Sequence, residues 1–287
     1  MEESLDLKLR ALRGVLEALD SAVVAYSGGV DSTLLALLSY RSLGDRMLAV
    51  NFSSPLTPPR ERERAKTLAE GLGFPLRVVK TDELGLPGFA ENPRDRCYRC
   101  KKHRVALLRN LARELGFQAL LDGSNLDDAT AYRPGRKALE EEGGLSPLEE
   151  AGLRKADVRA LARELGLPNW DAPPRPCLAT RFPYGTRMDR EWLRRVDAAE
   201  AELEALGMRV FRVRTDAPHH ARIELGREEM AAFRRKDTRL RLVKKLMGLG
   251  FTDLELDLDG FRSGSRDEEG LAGRRLVLHA GEERTAD

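Results

Sequence analysis

Apolar residues at Leu5, Leu9, Leu12, Leu16 and Leu19 recur at helical spacing, so the chain is predicted to open on a helix that lays one face against a core. The next apolar run differs in kind. Ala22-Val23-Val24-Ala25 is short, rich in β-branched residues and uninterrupted, the pattern of a strand buried on both faces. Runs at 47–52, 76–80 and 119–121 predict three more strands. Between them lie segments with helical patterning: 34–40, 59–72 opening on Pro58-Pro59, and a stretch from about Lys101 to Leu115. Strands that alternate with helices predict an α/β fold built on a doubly wound parallel sheet. Another amphipathic helix is predicted over 154–165, stopped by Gly166 and Pro168.

The proline-rich stretch from Trp170 to Gly185 predicts an irregular, semi-rigid loop, and a domain boundary is placed just after it, near Thr186. This gives a first domain over 1–186 and a smaller α/β domain over 187–287. In the latter, a helix is predicted over 189–206, strands over 209–215 and 219–225, mostly helix over 227–249, and a strand over 253–258. A polar, Gly-rich tail follows over 262–274, with a last short strand over 275–279.

Composition narrows the function classes. The 287 residues carry a net charge of +2 with 33% charged residues, which speaks against a dedicated nucleic-acid surface. No apolar run approaches the ~20 residues needed to span a bilayer. The acidic start Met1-Glu2-Glu3-Ser4 is unlike a signal peptide, so a cytoplasmic location is expected. Three cysteines, an odd number, fit thiol or metal chemistry better than a disulfide framework. A single glutamine, Gln118, among abundant arginine hints at a thermophilic source.

The chemistry gathers where the first strand ends. Ser27-Gly28-Gly29-Val30-Asp31-Ser32 joins it to the next helix. Glycines and a serine at a helix N-terminus leave N–H groups free to cradle an anion. The Walker lysine and spacing are absent, as is the dinucleotide G-x-G-x-x-G. Asp31 beside bound phosphates calls for Mg²⁺ between them. The loop therefore suits ATP cleaved between its α and β phosphates, and it resembles the PP-loop of the ATP pyrophosphatases. In a doubly wound sheet ligands bind beyond the carboxyl ends of the strands. Residues 27–32, 51–55 and 122–128 all follow strands and are expected on one edge. Ala25, Val50 and Gly123 would offer backbone to the adenine. Asn51 lies in the same pocket, with Asn125, Asp127 and Asp128 around ribose or metal.

Cys97-Tyr98-Arg99-Cys100 has metal-ligand spacing, and Cys177 lies far off in sequence. Three thiolates suit a [4Fe–4S] cluster with one open iron; with His103 they would instead make a Cys₃His zinc site. A third reading is a nucleophile at Cys177 with a redox pair. Nearby arginines and lysines favour thiolate. Arg212 and Arg214, two apart on a predicted strand, project from one face.

Taken together, the loop, Cys-Tyr-Arg-Cys-Lys-Lys, Asp-Gly-Ser-Asn-Leu-Asp-Asp, Arg133-Pro134-Gly135, Pro-Cys-Leu-Ala-Thr-Arg-Phe-Pro-Tyr-Gly and Phe-Arg-Val-Arg resemble the LarE-type sulfur transferases, over nearly the whole chain to about Asp259. The resemblance implies a Rossmann-like PP-loop fold and an ATP-dependent reaction on a small nucleotide, pyridinium-3,5-biscarboxylic acid mononucleotide. One carboxylate is adenylated with release of pyrophosphate, and sulfur then displaces AMP. The resemblance gives Cys177 as sulfur donor, either sacrificed to dehydroalanine or joined with Cys97 and Cys100 in a [4Fe–4S] cluster; the cluster is the preferred expectation. It also places Arg181 at the adenylate, Arg212 and Arg214 on the substrate phosphate, and Glu200 and Glu224 at a divalent metal or the substrate. A homo-oligomer, trimer or hexamer, is implied. Competing readings are a tRNA thiolase, an amide-forming PP-loop ligase and a nucleotide-binding regulator that never turns over.

Overall fold

The computed structural model describes residues 2–130, 134–233, 235–262 and 275–278. The chain divides into two units, one of residues 1–85 and 94–175, the other of residues 86–93 and 176–287.

The first unit is organised on four strands, β1 (Ala22–Ala25), β2 (Met47–Ser53), β3 (Leu76–Lys80) and β4 (Ala119–Leu121), all parallel in the order β3-β2-β1-β4. Successive side chains of a strand face opposite ways, and β1 is apolar on both. Ala22 and Val24 pack with Leu12 and Leu16 of helix Glu2–Glu17, Leu34 and Leu38 of helix Val30–Leu43, and Leu161 of helix Lys155–Glu164. Val23 packs on the other side with Val105 and Leu108 of helix Arg96–Leu115. Helices thus cover both faces, the doubly wound arrangement expected. The order runs outward from β1 to β3 and then returns to β4 on the far side of β1. That reversal puts the crevice for ligands between the ends of β1 and β4.

The second unit carries β5 (Phe211–Arg214), β6 (His220–Leu225), β7 (Asp253–Asp257) and β8 (Arg275–Val277), in that order, with antiparallel, parallel and antiparallel pairings. Helices Arg190–Ala205 and Lys236–Gly248 bury Leu193, Val196, Leu242 and Leu246, and the strands bury Val213, Ile223 and Leu254.

Several expectations are corrected in detail. The units part between residues 175 and 176, ten residues before Thr186, and residues 86–93 join the second unit. The reason is hydrogen bonding: Asn92 Nδ2 donates to the carbonyls of Phe182 and Pro183, and Gly185 N donates back to Asn92 O. The helix expected from Lys101 starts at Arg96, so both cysteines of the C-x-x-C motif lie in its first turns. The expected helix over 227–249 is two, Arg227–Phe233 and Lys236–Gly248. Arg133, most of the polar tail and His279 lie outside the described residues. No helix among the described residues is long and apolar enough to cross a membrane.

Candidate functional site

The loop after β1 is built as a nest. Gly28 has φ +82°, and a Cβ there would stand 2.8 Å from Ala65 Cβ, so only glycine fits. Gly29 is the N-cap of helix Val30–Leu43 and supplies no side chain to cap it, leaving the N-terminal end open toward an anion. Ser27 and Ser32 hold the loop's shape, their Oγ atoms 3.1 Å apart, and Ser32 Oγ donates to Gly29 O at 3.1 Å. Asn51 Nδ2 donates to Tyr26 O at 2.8 Å, tying β2 to the loop. Burial pushes the Tyr26 phenol up to about 12, partly offset by a hydrogen bond with Thr33, and its hydroxyl donates to Ala65 O.

The loop after β4 closes on the same helix end. A Cβ on Gly123 would come within 3.0 Å of Ser32 N. Asn125 Nδ2 donates to Asp31 Oδ1 at 3.2 Å, and its Oδ1 accepts from Asp127 N. Asp128 Oδ2 accepts from Asn125 N. Lys155 Nζ pairs with Asp31, and Arg154 Nη1 with Asp127 at 2.9 Å. Ser27, Gly28, Gly29, Asp31, Ser32, Gly123, Asn125 and Asp128 therefore share one edge, with Ala25 and Asn51 at the ends of β1 and β2. Asp31 is the carboxylate there that would hold Mg²⁺. Burial pushes the Asp122 carboxyl up, but the Lys101 charge and hydrogen bonds from Lys101, Ser146 and Ser124 hold it below the usual range.

Three residues here escaped the sequence. Lys155 reaches Asp31 from 124 positions away. Asn169 Nδ2 bonds Gly28 O at 2.9 Å and Thr33 Oγ1 at 3.0 Å. Glu83, wholly buried, accepts from Ser54 and Arg104. Each acts through a partner distant in sequence, and no local pattern announces it.

Cys97 is exposed and Cys100 half-buried, and neither joins a disulfide. His103, the candidate fourth zinc ligand, has Nε2 2.9 Å from Thr81 Oγ1. Among the described residues no group of three or more His, Cys, Asp or Glu side chains is arranged to hold a metal ion. The three thiols are the right donor type for an iron–sulfur cluster.

In the second unit Cys177 leads into the turn Leu178–Arg181. Arg181 is 3% exposed, and its guanidinium faces inward: Nε and Nη2 donate to the two oxygens of Glu200 at 2.7 and 2.9 Å, and Nη1 to Pro176 O, Cys177 O and Thr180 Oγ1. Burial pushes Glu200 up, but Arg181, the Val213 N–H and the Arg212 charge outweigh it and hold the carboxyl below its ordinary range. Arg214 Nε pairs with Glu224 at 2.7 Å, and Nη1 donates to Thr180 O. Arg212 lies with Cζ 4.8 Å from the centre of the Phe261 ring. The unit thus brings Arg181 and Arg214 to the Cys177 turn, with the Arg212 charge acting on Glu200. Glu200 and Glu224, expected at a divalent metal or the substrate, pair with Arg181 and Arg214.

Residues 10–87 match the NAD synthase family. Over 268 residues the chain is 39% identical to the pyridinium-3,5-bisthiocarboxylic acid mononucleotide synthase of Lactiplantibacillus plantarum, covering 92% of this chain and 95% of that one. It is 43% identical over 260 residues to an uncharacterized protein of Synechocystis sp., covering 91% and 97%. A glutamine-hydrolyzing GMP synthase of Aeropyrum pernix is 33% identical over 210 residues, 65% of this chain and 40% of the relative.

Proposed function

Because this chain belongs to the LarE-type sulfur transferases of the PP-loop class, we propose that it converts a carboxylate of pyridinium-3,5-biscarboxylic acid mononucleotide to a thiocarboxylate at the expense of ATP. The observation that carries this reading is the match, along nearly its whole length, to the synthase of the bisthiocarboxylic product. The loop chemistry agrees with it. A carboxylate oxygen of the substrate attacks the α phosphorus of ATP, and the bond to the β phosphate breaks. The 27–29 nest and the uncapped helix end receive the pyrophosphate. Asp31 would hold Mg²⁺, which supplies charge neutralisation between phosphates and carboxylate. In the sacrificial form the Cys177 thiolate then attacks the acyl carbon and expels AMP.

The sulfur source is proposed on the chain's own thiols. In that form Cys177 gives up its Sγ as the Cα proton leaves, becoming dehydroalanine. In the other, Cys97, Cys100 and Cys177 would hold a [4Fe–4S] cluster, which would supply an open iron for a transferable sulfide. Arg212 and Arg214 grip the substrate phosphate by charge-assisted hydrogen bonds. Arg181 positions the Cys177 turn. A homo-oligomer in the cytoplasm, where ATP and reduced thiols are maintained, completes the proposal.

The test mixes anaerobically purified protein with ATP, Mg²⁺ and the pyridinium mononucleotide, and follows pyrophosphate, product and protein mass. Pyrophosphate and thiocarboxylate are expected together. Loss of one H₂S from the Cys177 peptide identifies the sacrificial route; unchanged protein mass with iron and sulfide bound identifies the cluster. Pyrophosphate that appears equally without the pyridinium compound would overturn the reading.

A further inference from the structure

Glu83 sits in the short turn Glu83–Gly85 beyond β3 and is 0% exposed. A carboxylate removed from water is costly unless donors replace it. Here the donors come from two separate elements. Ser54, just past β2, donates its hydroxyl to Oε2. From helix Arg96–Leu115, Arg104 Nε donates to Oε1 at 2.7 Å, and Cys100 Sγ lies 4.0 Å from the same oxygen. Arg104 is fixed in turn, with Cζ 5.3 Å from the centre of the Phe52 ring on β2. On the other side of Cys100, Lys101 pairs with Asp122 at the end of β4. The thiol-bearing turn is therefore braced against the ends of the sheet from two directions. Glu83 is the brace that reaches Cys100 itself.

We propose that Glu83 is a positioning residue for the Cys97–Cys100 turn, linking it to the loop after β2 so that the two thiols are held at a fixed place on the nucleotide edge of the first unit. It is assigned no contact with ATP or substrate. The inference rests on the proposed sulfur transfer in one respect, that these thiols handle sulfur. It predicts a separation of effects that a purely structural ion pair would not give: adenylation proceeds, and sulfur delivery fails.

The experiment compares the full-length chain with Glu83→Ala and Glu83→Gln. Pyrophosphate formation is expected within about twofold of the parent, while thiocarboxylate formed per pyrophosphate falls about tenfold or more in Glu83→Ala, since small misplacement of a reacting group is costly. Glu83→Gln is expected to lose less, because its carbonyl oxygen still accepts from Ser54 or Arg104. A second readout needs no substrate. Phenylarsine oxide, which chelates two closely spaced thiols, is titrated into the reduced, metal-free proteins, with Cys97→Ala as the control that abolishes chelation. Its affinity is expected to weaken about tenfold in Glu83→Ala and less in Glu83→Gln. If Glu83→Ala does not fold, Glu83→Gln carries both measurements. Parental affinity together with a parental product ratio overturns the proposal. A parent that makes no pyrophosphate sinks the proposed function instead, and the arsenical titration alone then decides the role of Glu83.

Discussion

Arg181 and Glu200 face each other through two parallel N–H···O bonds, of 2.7 and 2.9 Å, inside the second unit. Such a pair costs much desolvation, and it contributes stability only while both partners stand. Glu200 also accepts from Val213 N at 3.1 Å, so the pair joins the Cys177 turn to β5. Arg181→Ala is expected to destabilise the second unit by about 3–5 kcal/mol, because it strands a buried carboxylate. Replacing both residues by apolar ones of similar volume is expected to cost much less. Urea denaturation of the single and double variants checks both outcomes.

Acid is expected to weaken the fold through Asp122 and Glu200. Both carboxyls titrate below their ordinary values in the folded chain. The unfolded chain therefore binds protons first as pH falls. The stabilisation they give is complete above an unfolded-state value of about 4 and is lost as pH drops below it through the folded values. Asp122→Asn and Glu200→Gln should flatten this dependence while lowering stability at neutral pH. Denaturant midpoints between neutral pH and strongly acid pH measure it.

Gly28→Ala tests the nest. The φ of +82° and the 2.8 Å approach to Ala65 both oppose a methyl group. A non-glycine residue in a sparsely populated backbone region costs of order 1–3 kcal/mol. Relaxing the clash would turn the N–H groups away from the phosphates. The expected result is a folded protein whose pyrophosphate formation falls about a hundredfold. Parental turnover in this variant would remove the loop from the phosphate site.

Arg212→Ala is expected to raise the KM for the pyridinium mononucleotide about tenfold or more, with the KM for ATP unchanged, as loss of a charge-assisted phosphate contact predicts. Initial rates with each substrate varied in turn separate the two constants. An unchanged KM for the mononucleotide would remove Arg212 from its phosphate.

The first sheet was readable because parallel strands covered on both faces appear as unbroken apolar runs, as Ala22–Ala25 shows. The start of helix Arg96–Leu115 was not, because Arg96, Lys101 and Lys102 interrupt any apolar period; Arg96 is nevertheless buried, and Lys101 is turned to Asp122. Around the loop, residues near one another in sequence could be grouped in advance. Those that close the site from a distance, Lys155 on Asp31 and Asn169 on Gly28, depend on how the whole sheet is wound. The inward turn of Arg181 was equally hidden, since spacing fixes where a guanidinium starts and says nothing of the carboxylate that helix Arg190–Ala205 brings to it.

The excursion of residues 86–93 into the second unit means that the backbone passes between the units at three junctions, after residues 85, 93 and 175. A fragment beginning at Pro176 would lack Asn92 and with it the amide that fastens the carbonyls of Phe182 and Pro183. The second unit is therefore not a detachable module. On a ribosome its earliest piece emerges more than eighty residues before the remainder and must wait for it. A single crossover between residues 93 and 176 would part Asn92 from the carbonyls it holds.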